Sequence, residues 1–238
     1  MNALIVNQMA TSTVKLVIVD DHLILTEFLA DMLSQQPDFT LVGRAGDGMS
    51  GLKVCLDTQP DLVLVDVAMP AMDGLEMIQR LRSLQPDVRT LVFSGHNEPY
   101  TIWRVAQSRA HGYLEKSASF ALLLEAMRTV SSGKTFFSPQ FQTITQERLT
   151  QEESFTNRLT RRELQILLRV VEGWADARIA SELEITAHTV MVHCKNMRKK
   201  LRLHNVRQLI TYAKEWGIGS TIMAPGLPTP PQPTLNNT

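Results

Sequence analysis

Short apolar runs alternate with amphipathic patterns from residue 14 to about residue 132. Three of the five runs are nearly unbroken, as is typical of parallel strands that are covered on both faces. After each run, apolar residues recur at the spacing of one helix face. Five βα repeats predict a doubly wound α/β fold with a five-stranded parallel sheet, because a TIM barrel needs eight repeats and a longer chain. The predicted strands are KLVIVD (15–20), FTLVGRA (39–45), DLVLVD (61–66), RTLVFSG (89–95) and HGYLEK (111–116), and the predicted helices lie at about 25–33, 48–58, 74–85, 99–109 and 119–131.

The second half of the chain has helical patterns only. Residues 133–156 lose the alternation and predict a linker that is partly helical, and residues 157–217 predict a smaller all-α domain of four helices. Residues 218–238 carry no charge and contain five prolines, which predicts a flexible Pro-rich tail. We expect residues 1–13 to be disordered and residues 14–132 to form the α/β domain.

Composition excludes several classes of protein. The chain is 44% hydrophobic and 20% charged, which is ordinary for globular domains. It has no apolar stretch of the roughly 20 residues needed to span a bilayer, and its first residues lack the basic start of a secretory signal. Cys55 and Cys194 are far apart and lack metal-ligand spacing, so free buried thiols are expected. These observations predict a cytoplasmic protein without a membrane partner.

The net charge of zero hides an asymmetry between the two halves. Residues 1–150 carry 12 Lys and Arg against 16 Asp and Glu, a balance of −4, and residues 151–238 carry 12 against 8, a balance of +4. Residues 186–214 contain seven Lys and Arg and no acid. An acidic first half and a basic patch near the end indicate two functions on one chain.

Polar side chains stand at the carboxyl ends of four predicted strands. Asp20 and Asp21 end the first, Asp66 the third, Ser94 the fourth and Lys116 the fifth. These strand ends share one edge of the sheet, where open α/β folds bind ligands. Three carboxylates repel one another without a cation, and hard oxygen ligands favour Mg²⁺, which shares phosphate oxygens readily. Lys and Ser suit the other oxygens of a phosphoryl group, and a carboxylate facing Mg²⁺ can itself be phosphorylated.

Four motifs of the first half resemble those of response-regulator receiver domains, which have a flavodoxin-like fold. They are VDD (19–21), D-x-x-MP-x-MDG (66–74), Ser94-Gly95 and GYLEK (112–116), in order over about 120 residues. The resemblance implies that Asp66 accepts phosphate from a sensor histidine kinase. It implies a magnesium site made of Asp20, Asp21, Asp66 and the backbone carbonyl of Ala68.

Further roles follow from the same resemblance. Lys116 is expected to bridge to the phosphate, and Ser94 with Tyr113 to form a switch pair in which Tyr113 rotates inward. Pro70 and Gly74 are expected to shape the loop that presents Asp66, through a fixed φ and a permissive helix start.

Residues 157–217 carry the marks of a helix-turn-helix. Thr160 and Glu163 predict a capping box, a short helix covers about 176–183, and Thr186 caps a helix that runs to about residue 201. Steps of 100° place Val190, Cys194, Met197 and Leu201 on one face of that last helix, which we expect to be core. The opposite face is acid-free and fits a major groove better than a merely solvated surface. It comprises His188, Val192, Lys195 and Lys199, flanked by Met191, Arg198 and Arg202.

This region resembles the LuxR-type helix-turn-helix of NarL/FixJ response regulators. The resemblance rests on LTRRE (159–163), IA-x-x-L (179–183), AHTV (187–190) and VH-x-K-N (192–196). It implies that Val192 and Lys195 contact base edges, that Thr189 and Lys199 contact phosphates, and that a last helix at 206–216 makes the dimer contact. Met191 replaces a usual lysine and can touch a thymine methyl. Glu184 stands at a usual glycine, where left-handed geometry costs roughly 1 kcal/mol.

The favoured function is a two-component response regulator that binds promoter DNA as a homodimer, at least when phosphorylated. On this hypothesis the receiver catalyses only its own phosphoryl transfer and dephosphorylation. Two alternatives stay open: a phosphate-independent binding module, which the complete acid set disfavours, and a metal-dependent phosphohydrolase, for which no substrate site is marked. The sequence does not determine whether phosphorylation releases or dimerises the helix-turn-helix.

Overall fold

The computed structural model describes residues 13–151 and 154–219. The expected flexible segments fall almost entirely on residues 1–12 and 220–238, outside these ranges. Ile218 was assigned to the tail, yet its side chain is fully buried. The second domain therefore extends at least to that residue.

A parallel sheet forms the centre of the first domain, in the order β2-β1-β3-β4-β5-β6. Its central strand β3 is buried along its whole length, which explains why its sequence is an unbroken apolar run. The strands are β1 (Val14–Val19), β2 (Phe39–Ala45), β3 (Leu62–Val65), β4 (Arg89–Ser94), β5 (Gly112–Glu115) and β6 (Phe136–Phe137).

Five helices cover the two faces of the sheet and confirm the predicted βα repeats. One apolar core lies on the side of α2, α3 and α4, and a second lies on the side of α1 and α5. The helices are α1 (Leu23–Ser34), α2 (Gly48–Thr58), α3 (Gly74–Leu84), α4 (Pro99–Ser108) and α5 (Phe120–Ser131).

The sixth strand corrects the prediction of five. The two residues of β6 pair in parallel with β5, matching Gly112 with Phe136 and Tyr113 with Phe137. Two residues are too few to show an alternating pattern, so periodicity could not reveal this strand. The predicted linker is thus partly an edge strand, and it continues into α6 (Pro139–Thr143) and a π-helical segment (Ile144–Leu149) that packs against α4.

The second domain is all helical among the described residues. The Thr160 hydroxyl accepts a hydrogen bond from the Glu163 amide, and the Glu163 carboxylate accepts one from the Thr160 amide, which confirms the capping box. Thr186 caps α10 through the Thr189 amide, as predicted. The helices are α7 (Phe155–Arg158), α8 (Arg161–Val171), α9 (Asp176–Glu182), α10 (Ala187–Leu201) and α11 (Val206–Glu215).

An aromatic cluster joins the two domains. Phe155 contacts Tyr100, Trp103 and Trp216 with ring centroids 5.7–6.0 Å apart. The backbone amide of Tyr100, in the first turn of α4, donates a 2.9 Å hydrogen bond to the carbonyl of Trp216 at the end of α11. The Arg148 guanidinium lies over the Trp216 ring, 5.1 Å from its centroid. The first turn of α4 therefore meets the C-terminal end of α11.

Among the described helices, none combines the length and apolar character needed to cross a bilayer.

Candidate functional site

Three carboxylates meet at the carboxyl edge of the sheet, as the sequence predicted. Asp20 follows β1 and Asp66 follows β3, and the Asp66 amide donates a 2.9 Å hydrogen bond to the carbonyl of Val19. The neighbouring strands thus hold both residues side by side. Asp20 and Asp66 are buried, whereas Asp21 is exposed at the mouth of the pocket.

Lys116 bridges the two buried acids and offsets one of their two negative charges. Its Nζ lies 2.7 Å from Asp66 Oδ2 and 2.8 Å from Asp20 Oδ2. The Lys116 amide also donates to the carbonyl of Ser94, which fixes the end of β5 beside β4. Burial lowers the pKa of the Lys116 ammonium, but hydrogen bonds to both carboxylates outweigh it and leave the pKa above its ordinary value. The lysine is therefore a permanent positive charge at neutral pH.

The acid cluster has the chemistry of a site for a hard divalent cation. One ligand atom from each of Asp20, Asp21, His22 and Asp66 can be chosen so that all lie within 4.8 Å of one another. Carboxylate oxygens are the ligands that Mg²⁺ prefers. His22 was not predicted: its Nδ1 lies 3.0 Å from Asp20 Oδ1 and 3.1 Å from Asp21 Oδ1. Its place directly after two acids at a strand end was the available signal.

The loop after Asp66 differs from the expectation in its backbone. The left-handed residue is Ala71, with φ of 63°, whereas Gly74 has ordinary φ. Gly74 is needed because a β-carbon there would overlap the carbonyl oxygen of Asp66. Asp73 caps α3 by accepting hydrogen bonds from the amides of Leu75 and Glu76. The start of α3 is consequently packed directly on the backbone of Asp66.

Ser94 and Tyr113, the predicted switch pair, are both fully buried. The Tyr113 hydroxyl donates a 2.7 Å hydrogen bond to the carbonyl of His96, and the Ser94 hydroxyl accepts one from the His96 amide. The Tyr113 ring packs against Phe141 of α6 at 5.3 Å. The Tyr113 side chain already points inward in this structure, so it cannot make the expected inward rotation from this conformation.

The two faces of α10 are arranged as the helical spacing predicted. Val190, Cys194, Met197 and Leu201 are buried. The opposite face is solvent-exposed, and its apolar members Met191 and Val192 are 58% and 41% exposed. Exposed apolar side chains between basic ones are suited to contact thymine methyl groups. The exposed set also includes His188, Lys195 and Lys199.

Two basic residues of α10 are turned toward the protein. The Arg198 guanidinium donates to the carbonyls of Cys194 and His204, so this half-buried residue closes the end of the helix. Lys200 Nζ donates a 2.7 Å hydrogen bond to Glu163 in the capping box.

The hydroxyl groups of Thr189 and Thr186 lie 2.8 Å apart, within hydrogen-bond distance. Glu184 adopts the left-handed geometry expected at its position, with φ of 54°.

Two family models match the chain in the same order as its domains. The response regulator receiver domain matches residues 16–128, and the luxR family of bacterial regulatory proteins matches residues 157–213.

Curated and solved response regulators resemble this chain over different lengths. The response regulator protein VraR of Staphylococcus aureus is 29% identical over 201 residues, covering 84% of this chain and 96% of that protein. A LuxR-family two-component response regulator from Aurantimonas sp. SI85-9A1 is 28% identical, covers 57% of this chain and 98% of its own, and has a TM-score of 0.54.

A protein solved in complex with DNA shares the fold over most of this chain. RcsB from Salmonella enterica serovar Typhimurium, solved bound to a promoter in the presence of a phosphomimetic, is 21% identical and shares the fold with a TM-score of 0.60. It covers 85% of this chain and 98% of its own. With a receiver domain followed by a LuxR-type helix-turn-helix, this chain belongs to the NarL/FixJ-type response regulators.

Proposed function

We propose that this protein regulates transcription in a two-component pathway, with Asp66 as the phosphoacceptor and α10 as the DNA-reading helix. The observation that carries the proposal is the position of Lys116 Nζ, 2.7 Å from the buried carboxylate of Asp66. A lysine so placed contacts the acceptor before transfer and can follow the phosphoryl oxygens afterwards. The phosphodonor is a sensor histidine kinase, and the setting is the cytoplasm.

The carboxylate of Asp66 acts as the nucleophile. Its oxygen forms a bond to phosphorus while the bond from phosphorus to the donor's leaving group breaks, and the electron pair of that bond leaves with the donor. Lys116 offsets the negative charge that accumulates on the phosphoryl oxygens. Mg²⁺ held by Asp20, Asp21, Asp66 and the carbonyl of Ala68 supplies further charge neutralisation when bound.

The phosphorylated state acts on the contact between the domains. Phosphorylation replaces the single negative charge of the Asp66 carboxylate with a phosphoryl group that carries about −1.5 to −2, a net gain of roughly 0.5 to 1 negative charge beside Asp20 and Asp21. The loop after Asp66 is joined to α4 by the ion pair between Asp73 and Arg104. In the first turn of α4, the amide of Tyr100 donates a hydrogen bond to the carbonyl of Trp216 in the second domain. We infer that phosphorylation weakens this contact and frees the helix-turn-helix to pair with a second copy through α11.

DNA binding uses the exposed face of α10. Lys195 and Val192 read base edges in the major groove, and Met191 contacts a thymine methyl. Lys199, His188 and Thr189 contact phosphates. Arg198 is also proposed as a DNA contact, although it must first leave the carbonyls of Cys194 and His204.

Selection of bound duplexes from a random DNA library tests the whole proposal. The full-length protein is incubated with acetyl phosphate and Mg²⁺, or without them, alongside an Asp66→Asn variant. We expect one sequence motif to be enriched. For the parent, the phosphodonor should increase this enrichment, whereas for the Asp66→Asn variant it should make no difference. Absence of any enriched motif, or equal enrichment in all four samples, would contradict the proposal.

A further inference from the structure

Helix α4 touches both the phosphoacceptor loop and the second domain. Its residues Tyr100 and Trp103 lie in the aromatic cluster with Phe155. Arg104, the next residue along the helix, has its guanidinium 2.6 Å from the carboxylate of Asp73. A rigid helix contacted at both places can transmit a shift from one to the other.

The pair between Asp73 and Arg104 is almost completely buried. The Asp73 side chain is 0% exposed and that of Arg104 is 9% exposed. Asp73 Oδ1 accepts from the amides of Leu75 and Glu76, which leaves Oδ2 for Arg104 Nη2. Arg104 Nη1 is also buried and makes no hydrogen bond to any described residue. The buried guanidinium of Arg104 therefore depends on the carboxylate of Asp73, and we expect Arg104 to move when Asp73 moves.

Asp73 is in turn fixed to the phosphoacceptor. It caps α3 immediately before Gly74, whose amide donates a 3.1 Å hydrogen bond to the carbonyl of Val67. Gly74 packs so closely on the carbonyl of Asp66 that no β-carbon fits between them. Movement of the Asp66 loop is therefore transferred to Asp73 rather than absorbed by loose packing.

We propose that Arg104 is a positioning residue that couples phosphorylation of Asp66 to the contact between the domains. The coupling runs from the Asp66 loop through Asp73 to Arg104, and through α4 to Tyr100 and Trp216. This inference rests on the proposed function, because it concerns how the phosphorylated loop is read. Arg104 does not touch the reacting atoms, so its loss leaves phosphoryl transfer intact.

The experiment separates phosphorylation from its consequence for DNA binding. Full-length parent, Arg104→Met and the double variant Asp73→Asn with Arg104→Met are treated with acetyl phosphate and Mg²⁺. The labelling rate is measured by intact mass, and affinity for a duplex selected by the parent is measured with and without the phosphodonor. The double variant keeps a capping oxygen at position 73 and leaves no unpaired buried charge, so it guards against misfolding of the single variant.

Arg80→Met is the matched control. Arg80 pairs with Glu76 of the same helix, α3, at 2.5 Å, and its side chain is 50% exposed, so this variant loses an ion pair that does not involve α4. We expect all variants to be labelled at the parent rate, within about twofold. The ratio of DNA affinities with and without phosphodonor, which for coupled sites is roughly 5- to 150-fold, should approach one in both Arg104 variants and stay unchanged in Arg80→Met.

Contrary outcomes are distinguishable. If both Arg104 variants keep the parent's affinity ratio, or if Arg80→Met loses it equally, the coupling role of Arg104 is overturned. If the Arg104 variants are not labelled, Arg104 serves the reaction itself and the coupling role is likewise overturned. If the parent is not labelled, or is labelled without a change in DNA affinity, the proposed function fails and this inference fails with it.

Discussion

Lys116 and Asp66 form a partly buried ion pair, with Nζ 2.7 Å from Oδ2, and the same ammonium lies 2.8 Å from Asp20 Oδ2. A lysine in this position competes with any cation that the carboxylates bind. Its positive charge lowers the attraction of the pocket for Mg²⁺ while it prevents the two acids from repelling each other.

We therefore expect Lys116→Met to bind Mg²⁺ more tightly than the parent. Removing one positive charge close to the acids favours the cation by about 1 kcal/mol, or roughly fivefold in Kd. Asp20→Asn should change the Kd in the opposite direction. Isothermal titration calorimetry measures both, and Lys134→Met, an exposed lysine, serves as the control. Weaker Mg²⁺ binding by Lys116→Met would show that the lysine organises the site rather than competing for it.

Lys195 is predicted to read a base. It is exposed on the front of α10, and Lys195→Ala should cost roughly 1–3 kcal/mol at the preferred site while relaxing the preference at one base position. Competition binding against duplexes with single base changes measures this. Lys214→Ala, an exposed lysine on α11, should leave the preference intact. If Lys195→Ala keeps the parent's base preference, the orientation assigned to α10 is wrong.

Lys199 is predicted to contact a phosphate instead. Lys199→Ala should weaken binding to all sequences alike, because the phosphate backbone carries no sequence information. The slope of log K against log salt should flatten by about one unit. Binding isotherms at several salt concentrations give the slope, and an unchanged slope would mean that Lys199 stays solvated in the complex.

Glu163 links the stability of the second domain to pH. Burial raises its pKa, but the hydrogen bonds from Lys200 and Thr160 outweigh burial and hold the pKa below the ordinary 4.5. Because the folded pKa is depressed, the stabilisation is present above about pH 4.5 and is lost as the pH falls through the folded pKa. Glu163→Gln should cost about 1–3 kcal/mol at pH 7, and the difference from the parent should shrink below pH 4.5. Urea unfolding of both proteins across this range measures it; a difference independent of pH would remove the charge from the explanation.

The βα repeats, the capping box and both faces of α10 were predictable because each depends on residue types at short, regular spacings in the sequence. The convergence of Asp20, Asp66 and Lys116 was predictable because parallel strands end at one edge. The cluster of Tyr100, Phe155 and Trp216 was not, since its members lie on three separate elements and share no local pattern. Phe28 belongs to a helical apolar pattern in α1, yet its side chain is 53% exposed.

The Asp73–Arg104 pair illustrates a second limit. Asp73 was visible in the sequence as part of a loop motif, but its partner lies 31 positions further along. No spacing rule connects an acid before α3 with an arginine in the middle of α4. Sequence patterns locate strand ends well, whereas the pairing of side chains between neighbouring helices depends on how those helices pack.

The most direct test of the central claim is the intact mass of the full-length protein after incubation with acetyl phosphate and Mg²⁺. The parent and Asp57→Asn, which alters an exposed acid of α2, should each gain one phosphoryl group, and Asp66→Asn should gain none. Labelling of Asp66→Asn to the same extent as the parent would contradict the assignment of Asp66 as the phosphoacceptor.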